Sequence, residues 1–142
     1  MKVYLSADKD GQELKNILIS YLAEENYEVE DLTETPAEDF VDSANVLVQR
    51  LKEDEEGYGI TVDAYGAGSF MAANKHKEIV AAEVSDEWSA HMTRRHNNAR
   101  IITLGSKVVG TELAKSVAKA FVTADYDAGR HQVRVDMLNA MC

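Results

Sequence analysis

Cysteine is nearly absent from this chain: the one residue of its kind, Cys142, stands at the last position. An internal disulfide framework is therefore excluded, and a reducing compartment is expected. Proline is equally scarce, with Pro36 alone. Cationic residues are outnumbered, 15 Lys and Arg against 25 Asp and Glu, for a net charge of −10. Nucleic-acid binders normally carry a basic surface, so that class is disfavoured. No apolar run reaches the ~18 residues of a membrane span. Met1 to Leu5 passes straight into a strand-like segment, without the pattern of a secretory leader. These absences lead to the expectation of a cytoplasmic protein that engages neither nucleic acid nor membrane.

What is present is ordinary globular material. A hydrophobic content of 45% with 28% charged residues fits a folded domain. The 142 residues are expected to form one domain, residues 1–142, burying about 70% of the unfolded surface. Strand and helix patterns alternate throughout. Val3 to Ala7 reads as a buried strand. Leu14, Ile17, Leu18, Tyr21 and Leu22 then form the stripe of an amphipathic helix. Tyr27 to Leu32 predicts a second strand, and Val41 to about Glu53 a second helix. Tyr58 to Val62 predicts the third strand, and Ser69 to Asn74 a short helix beyond the Gly66/Gly68 turn. Ile79 to Val84 reads as a fourth strand, with Ser85 as N-cap of a helix running toward His96. Ile101 to Leu104 is a fifth strand, Thr111 to about Ala124 a helix, and a last helix is expected from Gly129 to the C-terminus. Strands separated by helices imply βαβ units. The expected fold is a three-layer α/β/α, Rossmann-like arrangement around a five-stranded parallel sheet, its strand order left open.

Parallel sheets bind ligands beyond the carboxyl ends of their strands. That rule gives weight to Asp8 and Lys9, Asp63 to Gly68, Ser85 and Asp86, and Gly105 to Lys107. Two clusters stand out in an acidic chain: Arg94 to Arg100, which includes His96, and Gly129 to Arg134. Cationic groups beside imidazoles suit a small phosphorylated substrate. Arg130 and Arg134, four residues apart, share one helical face and could fork a phosphate; they could equally be solvated and bridged to Asp127 or Asp136. His96 could move protons to and from a sugar ring oxygen or merely cap helix carbonyls. Asn97 and Asn98 could end the helix, since asparagine tolerates left-handed backbone. Asp63 could act as a base, or bind backbone amides of the glycine turn, the favoured role. The glycine turn lacks a nucleotide-binding fingerprint. No pair of His, Cys or acidic residues has metal-ligand spacing, so no metal site is expected.

Four segments carry a resemblance when taken in order. They are Ser6-Ala7-Asp8-Lys9-Asp10-Gly11, Tyr65 to Lys75, Arg95-His96-Asn97-Asn98-Ala99, and Gly129-Arg130-His131-Gln132-Val133-Arg134-Val135. With these segments the chain resembles the ribose-5-phosphate isomerase B and galactose-6-phosphate isomerase family over essentially its whole length. Within it, the likeness is to the heteromeric galactose-6-phosphate isomerases. The resemblance implies a cofactor-free aldose–ketose isomerase working through a cis-enediol. It implies that His96 opens the sugar ring, Asn97 contacts substrate, and Arg130 and Arg134 hold the phosphate, with Asp8 in a lesser orienting role.

The chain also departs from the family. Asp63 stands where the family's proton-abstracting cysteine belongs, Ala64 replaces a glycine, Tyr65 a threonine, and Lys9 a histidine. Family sites lie between subunits, so the resemblance implies a partner, the cysteine-bearing B subunit of galactose-6-phosphate isomerase. Two alternatives stay open: a self-sufficient homo-oligomeric isomerase with Asp63 as base, and a phosphoacceptor receiver-like domain built on Asp8, Asp63 and Lys107.

Overall fold

The computed structural model describes residues 1–142. Five strands, β1 (Lys2–Ala7), β2 (Glu28–Asp31), β3 (Tyr58–Asp63), β4 (Ala81–Glu83) and β5 (Ile101–Gly105), form one sheet. Every pairing is parallel, in the order β2-β1-β3-β5-β4. Helices α1 (Gln12–Glu24), α4 (Glu87–Asn97) and α5 (Thr111–Val122) supply the apolar residues of one face, and α2 (Phe40–Glu53) and α3 (Ala67–Ala73) those of the other. A 3-10 turn, Gly129–His131, leads into α6 (Gln132–Asn139). This is the expected three-layer α/β/α architecture.

Strand alternation divides the core. Val3 and Leu5 of β1, with Ile102 and Leu104 of β5, pack toward Leu18, Val117 and Phe121. Tyr4 and Ile101 point the opposite way, onto Leu47, Val48 and Leu51 of α2. Glycine is required at the first turn: a Cβ on Gly11 would lie 2.0 Å from the Val62 carbonyl oxygen. The start of α1 thus presses directly on β3, an approach only glycine allows.

Several expectations shift in detail. The N-cap of α4 is Asp86, not Ser85; its carboxylate accepts from the Ser89 N–H at 2.7 Å. A carboxylate there also meets the positive end of the helix dipole. The fourth strand shrinks to Ala81–Glu83 at the sheet edge. There the Asn74 amide bonds both the N–H and the C=O of Ala81, filling ladder positions that a sixth strand would occupy. The last helix stops at Asn139 and begins only after the 3-10 turn. Lys15, on the buried stripe of α1, is fully buried and pairs with Asp31 at 2.7 Å and the Thr33 carbonyl at 2.7 Å. Hydropathy alone would have placed it in solvent.

Direction matters most for function. The helices that follow the strands run back against them, so α4 and α5 end at the amino edge of the sheet. The Asp8 and Gly66 loops instead lie at the carboxyl edge. Gly59 pairs with Ile101 and Asp63 with Gly105, so the edges are separated by roughly 13 Å of strand.

Candidate functional site

At the carboxyl edge, Asp63 is buried and wholly engaged. Its Oδ1 accepts from the Ser69 hydroxyl at 2.8 Å and its Oδ2 from the Ser69 N–H at 3.4 Å. The carboxylate ties the strand end to the first turn of α3, one residue beyond the glycine turn. Gly66, at φ 78, takes the left-handed conformation that opens α3. Its carbonyl accepts from the Thr103 hydroxyl at 2.7 Å. Tyr65 projects outward, 61% exposed, with the Lys107 ammonium 5.9 Å from its ring centroid. Asp8 accepts from the Gly11 N–H at 3.1 Å and braces the turn before α1. Burial raises its carboxyl above the usual range; the Gly11 bond opposes that shift and the charge of nearby Asp63 adds to it.

The amino edge is built differently. His96 occupies the last turn of α4, and its ring stacks on His131 with centroids 4.1 Å apart and planes 11° from parallel. Asp127 sits beside both imidazoles, its Oδ2 3.9 Å from His96 Nε2. Arg95 fixes that carboxylate with two contacts, 3.1 Å and 2.9 Å, while the Asp127 N–H bonds the Arg95 carbonyl. The Arg95 bond holds the Asp127 carboxyl below the usual range. Partial burial, reinforced by His96 and Arg130, pushes the His131 imidazole below its ordinary value. Ala128 and Gly129 then turn the chain with φ values of 52 and 58. Such backbone is unfavourable for alanine, at about 1–3 kcal/mol, and here it swings Arg130 and His131 back toward α4.

Among the arginines the structure separates support from surface. Arg94 is buried, donates to the Ala99 carbonyl at 2.7 Å, and lies 4.5 Å from the Tyr58 ring centroid. Arg100 gathers the carbonyls of Leu51, Asp54 and Gly57. With Arg95 committed to Asp127, the first cluster offers no free guanidinium, contrary to its reading as a phosphate-attracting segment. Arg130 and Arg134 are the opposite case: both are exposed, and neither lies within ion-pair distance of a carboxylate. Asp136 accepts instead from Gln132. Asn97 is exposed, and its Oδ1 accepts from Thr93 at 3.1 Å, which leaves the amide N–H groups free to donate. Asn98, at φ 53, ends the helix as left-handed asparagine.

His96, Asn97 and the Arg130 turn therefore belong to one edge of the molecule, while Asp8 belongs to the other, beside Asp63. Sequence reasoning gave no role to His131, and considered Asp127 only as an ion-pair partner. The adjacency of His131 to Arg130 was the available signal; nothing in the spacing placed either residue against His96.

An open parallel sheet carrying imidazole and free arginines at a helix end defines an α/β protein suited to small anionic substrates. The chain belongs to the Ribose/Galactose Isomerase family, whose model matches residues 3–138. It is 55% identical to galactose-6-phosphate isomerase subunit LacA of Streptococcus mutans, over 100% of both chains. It is 54% identical to the subunit of that name from Staphylococcus haemolyticus, again over 100% of both. Among solved structures it resembles ribose 5-phosphate isomerase of Thermotoga maritima, with a TM-score of 0.93, 32% identity, and 99% and 98% of the two chains covered. Ribose-5-phosphate isomerase B from Mycoplasma genitalium with bound ribulose-5-phosphate gives a TM-score of 0.92 at 30% identity, covering 98% of this chain and 94% of that one. No helix is long and apolar enough to cross a membrane.

Proposed function

We propose that this chain is the A subunit of a heteromeric galactose-6-phosphate isomerase, interconverting D-galactose 6-phosphate and D-tagatose 6-phosphate. The observation that carries the reading is the separation of two half-sites. The edge with His96 and unpaired Arg130 and Arg134 has functional groups to spare. The edge with Asp63 has its carboxylate consumed by Ser69, and the adjacent Tyr65 turns outward into solvent. A site assembled across an interface uses the first half of this chain and the cysteine-bearing loop of a B subunit. The names of the full-length relatives support the hexose phosphate.

In this scheme Arg130 and Arg134 grip the phosphate through charge-assisted hydrogen bonds. The Asn97 amide donates to a substrate oxygen. His96 takes the proton of the anomeric hydroxyl and returns one to the ring oxygen, so the ring C–O bond breaks and the aldehyde forms. The partner's cysteine thiolate then removes the C2 proton. The C2–H electrons become the C1=C2 bond while the carbonyl electrons move to O1; the O2 proton passes to O1, the O2 electrons form the C2=O bond, and the C1=C2 electrons take the proton back at C1 to give the ketose. No electron leaves the substrate, so the chemistry calls for no redox cofactor. The partner's threonine and loop amides stabilise the enediolate. Asp8 acts at the other edge, orienting loop backbone through Gly11.

The test is isomerisation of galactose 6-phosphate by this chain alone and after co-expression with its cysteine-bearing partner. Silence alone and turnover together are expected. Turnover by the pure chain would overturn the reading and make Asp63 the base, although both its oxygens are already bonded. That result would also require His96 to reach Asp63 from a second copy, given the strand length between them. A receiver-like phosphoacceptor fares worse, because the chain belongs to an isomerase family and a receiver would leave the His96 and arginine clusters idle.

A further inference from the structure

We infer that His96, Asp127 and His131 form a binding site for a divalent transition-metal ion such as Zn2+. The three residues come from the end of α4, the loop after α5 and the 3-10 turn, and their ligand atoms all lie within 4.8 Å of one another. Two imidazoles and one carboxylate are the donor set that suits Zn2+, Co2+ or Cu2+ rather than Mg2+ or Ca2+. Tetrahedral zinc with bonds of about 2.0–2.2 Å sets its ligand atoms roughly 3.3–3.5 Å apart. His96 Nε2 and Asp127 Oδ2, at 3.9 Å, are already close to that spacing. The remaining adjustment begins with rotation of the two partly exposed rings. The rings now stack face to face at 4.1 Å with their planes 11° from parallel, so at least one must swing out of the stack before both lone pairs reach one ion.

Two features limit affinity. Arg95 contacts both oxygens of Asp127 and must release one of them. Arg130, next to His131, adds a like charge. The site is therefore exchangeable, open to solvent, with coordination positions left for water. Its consequence rests on the catalytic reading above: a metal on His96 Nε2 occupies the lone pair that would accept the anomeric proton. Zinc then inhibits the assembled enzyme, and a chelator restores it.

The experiment uses the full chain without a histidine tag. Calorimetric titration with Zn2+ and the visible spectrum with Co2+ report binding directly; isomerase activity of the complex with the cysteine-bearing partner reports the consequence. One Zn2+ per chain is expected, with tetrahedral Co2+ bands. Removing even an outer-shell partner costs 10–100-fold in metal affinity, so loss of a ligand in His131→Ala weakens binding by roughly 100-fold or more. His131→Asn, which keeps a polar side chain, behaves the same way, whereas His91→Ala binds Zn2+ like the unaltered chain. Absence of stoichiometric binding, or binding that persists in both His131 variants, overturns the metal site and leaves the isomerase reading untouched. Binding without inhibition upholds the metal site and counts against His96 as the ring-opening group.

Discussion

The two edges of the sheet hold similar chemistry in opposite states. At the carboxyl edge, Asp63, Ser69, Gly66 and Thr103 satisfy one another, and Asp8 is bound to its own turn. At the amino edge, Arg130 and Arg134 have no acidic partner, and two imidazoles face each other beside a carboxylate. Polar groups that bond internally lower the energy of the fold; those left open keep their interactions for a ligand. In the proposed reading, the first edge is support and the second is the site. A carboxylate after a strand is thus not evidence of catalysis until its bonding partners are counted.

The contrast breaks most sharply on activity. In the assembled complex, His96→Ala is expected to lower kcat by about 10²–10⁴-fold, the usual contribution of a positioned acid–base group. Asp63→Ala in the same complex should leave kcat unchanged. Steady-state assays of the two variants decide between the edges; an Asp63 variant as impaired as the His96 one would reverse the assignment. Arg130→Ala and Arg134→Ala come next. Each removes a charge-assisted bond of about 1.5–3 kcal/mol, so KM for galactose 6-phosphate should rise roughly 10- to 150-fold. If the arginines were idle surface groups, neither KM nor phosphate inhibition would move.

Stability sharpens the comparison from the other side. Asp63→Ala removes the acceptor of the Ser69 N–H and leaves its hydroxyl only the 3.3 Å contact to the Gly66 carbonyl, which should cost about 1–3 kcal/mol in urea unfolding. Arg134→Ala, on an exposed face without partners, should shift the midpoint within about 0.5 kcal/mol. A stable Asp63 variant would show that the loop bonds are incidental.

How far the sequence anticipates this depends on whether the information is local. Apolar periodicity marks the helices because a stripe such as Leu14, Leu18 and Leu22 must face a core. Strand order is not local, and pattern alone left it open. The N-cap of α4 was misplaced by one residue because Ser85 and Asp86 are both good caps, and only backbone direction chooses. The Arg94–Arg100 cluster reads as cationic surface suited to a phosphate because sequence does not reveal which carbonyls Arg94 and Arg100 will find. The stacked histidines are 35 positions apart, brought together by the Ala128–Gly129 turn, whose positive φ at an alanine no propensity suggests.

The smallest effect expected is on pH. Burial lowers the His76 imidazole, and Lys52 adds to it; His131 is lowered by partial burial and by His96 and Arg130. Between these depressed values and the ordinary one near 6.5, the unfolded chain takes up protons that the folded chain refuses. Stability is therefore full above about pH 6.5 and declines as pH falls through the folded values. Asp8 works in the opposite sense. Its raised carboxyl lets the folded chain keep a proton that the unfolded chain loses, so part of the decline is offset nearer the carboxylate range. Melting curves from pH 7.5 to 4.5 should show the first decline in the unaltered chain and a flatter profile in His76→Asn/His131→Asn. If the double variant kept the full slope, the proton uptake would have to come from groups other than His76 and His131.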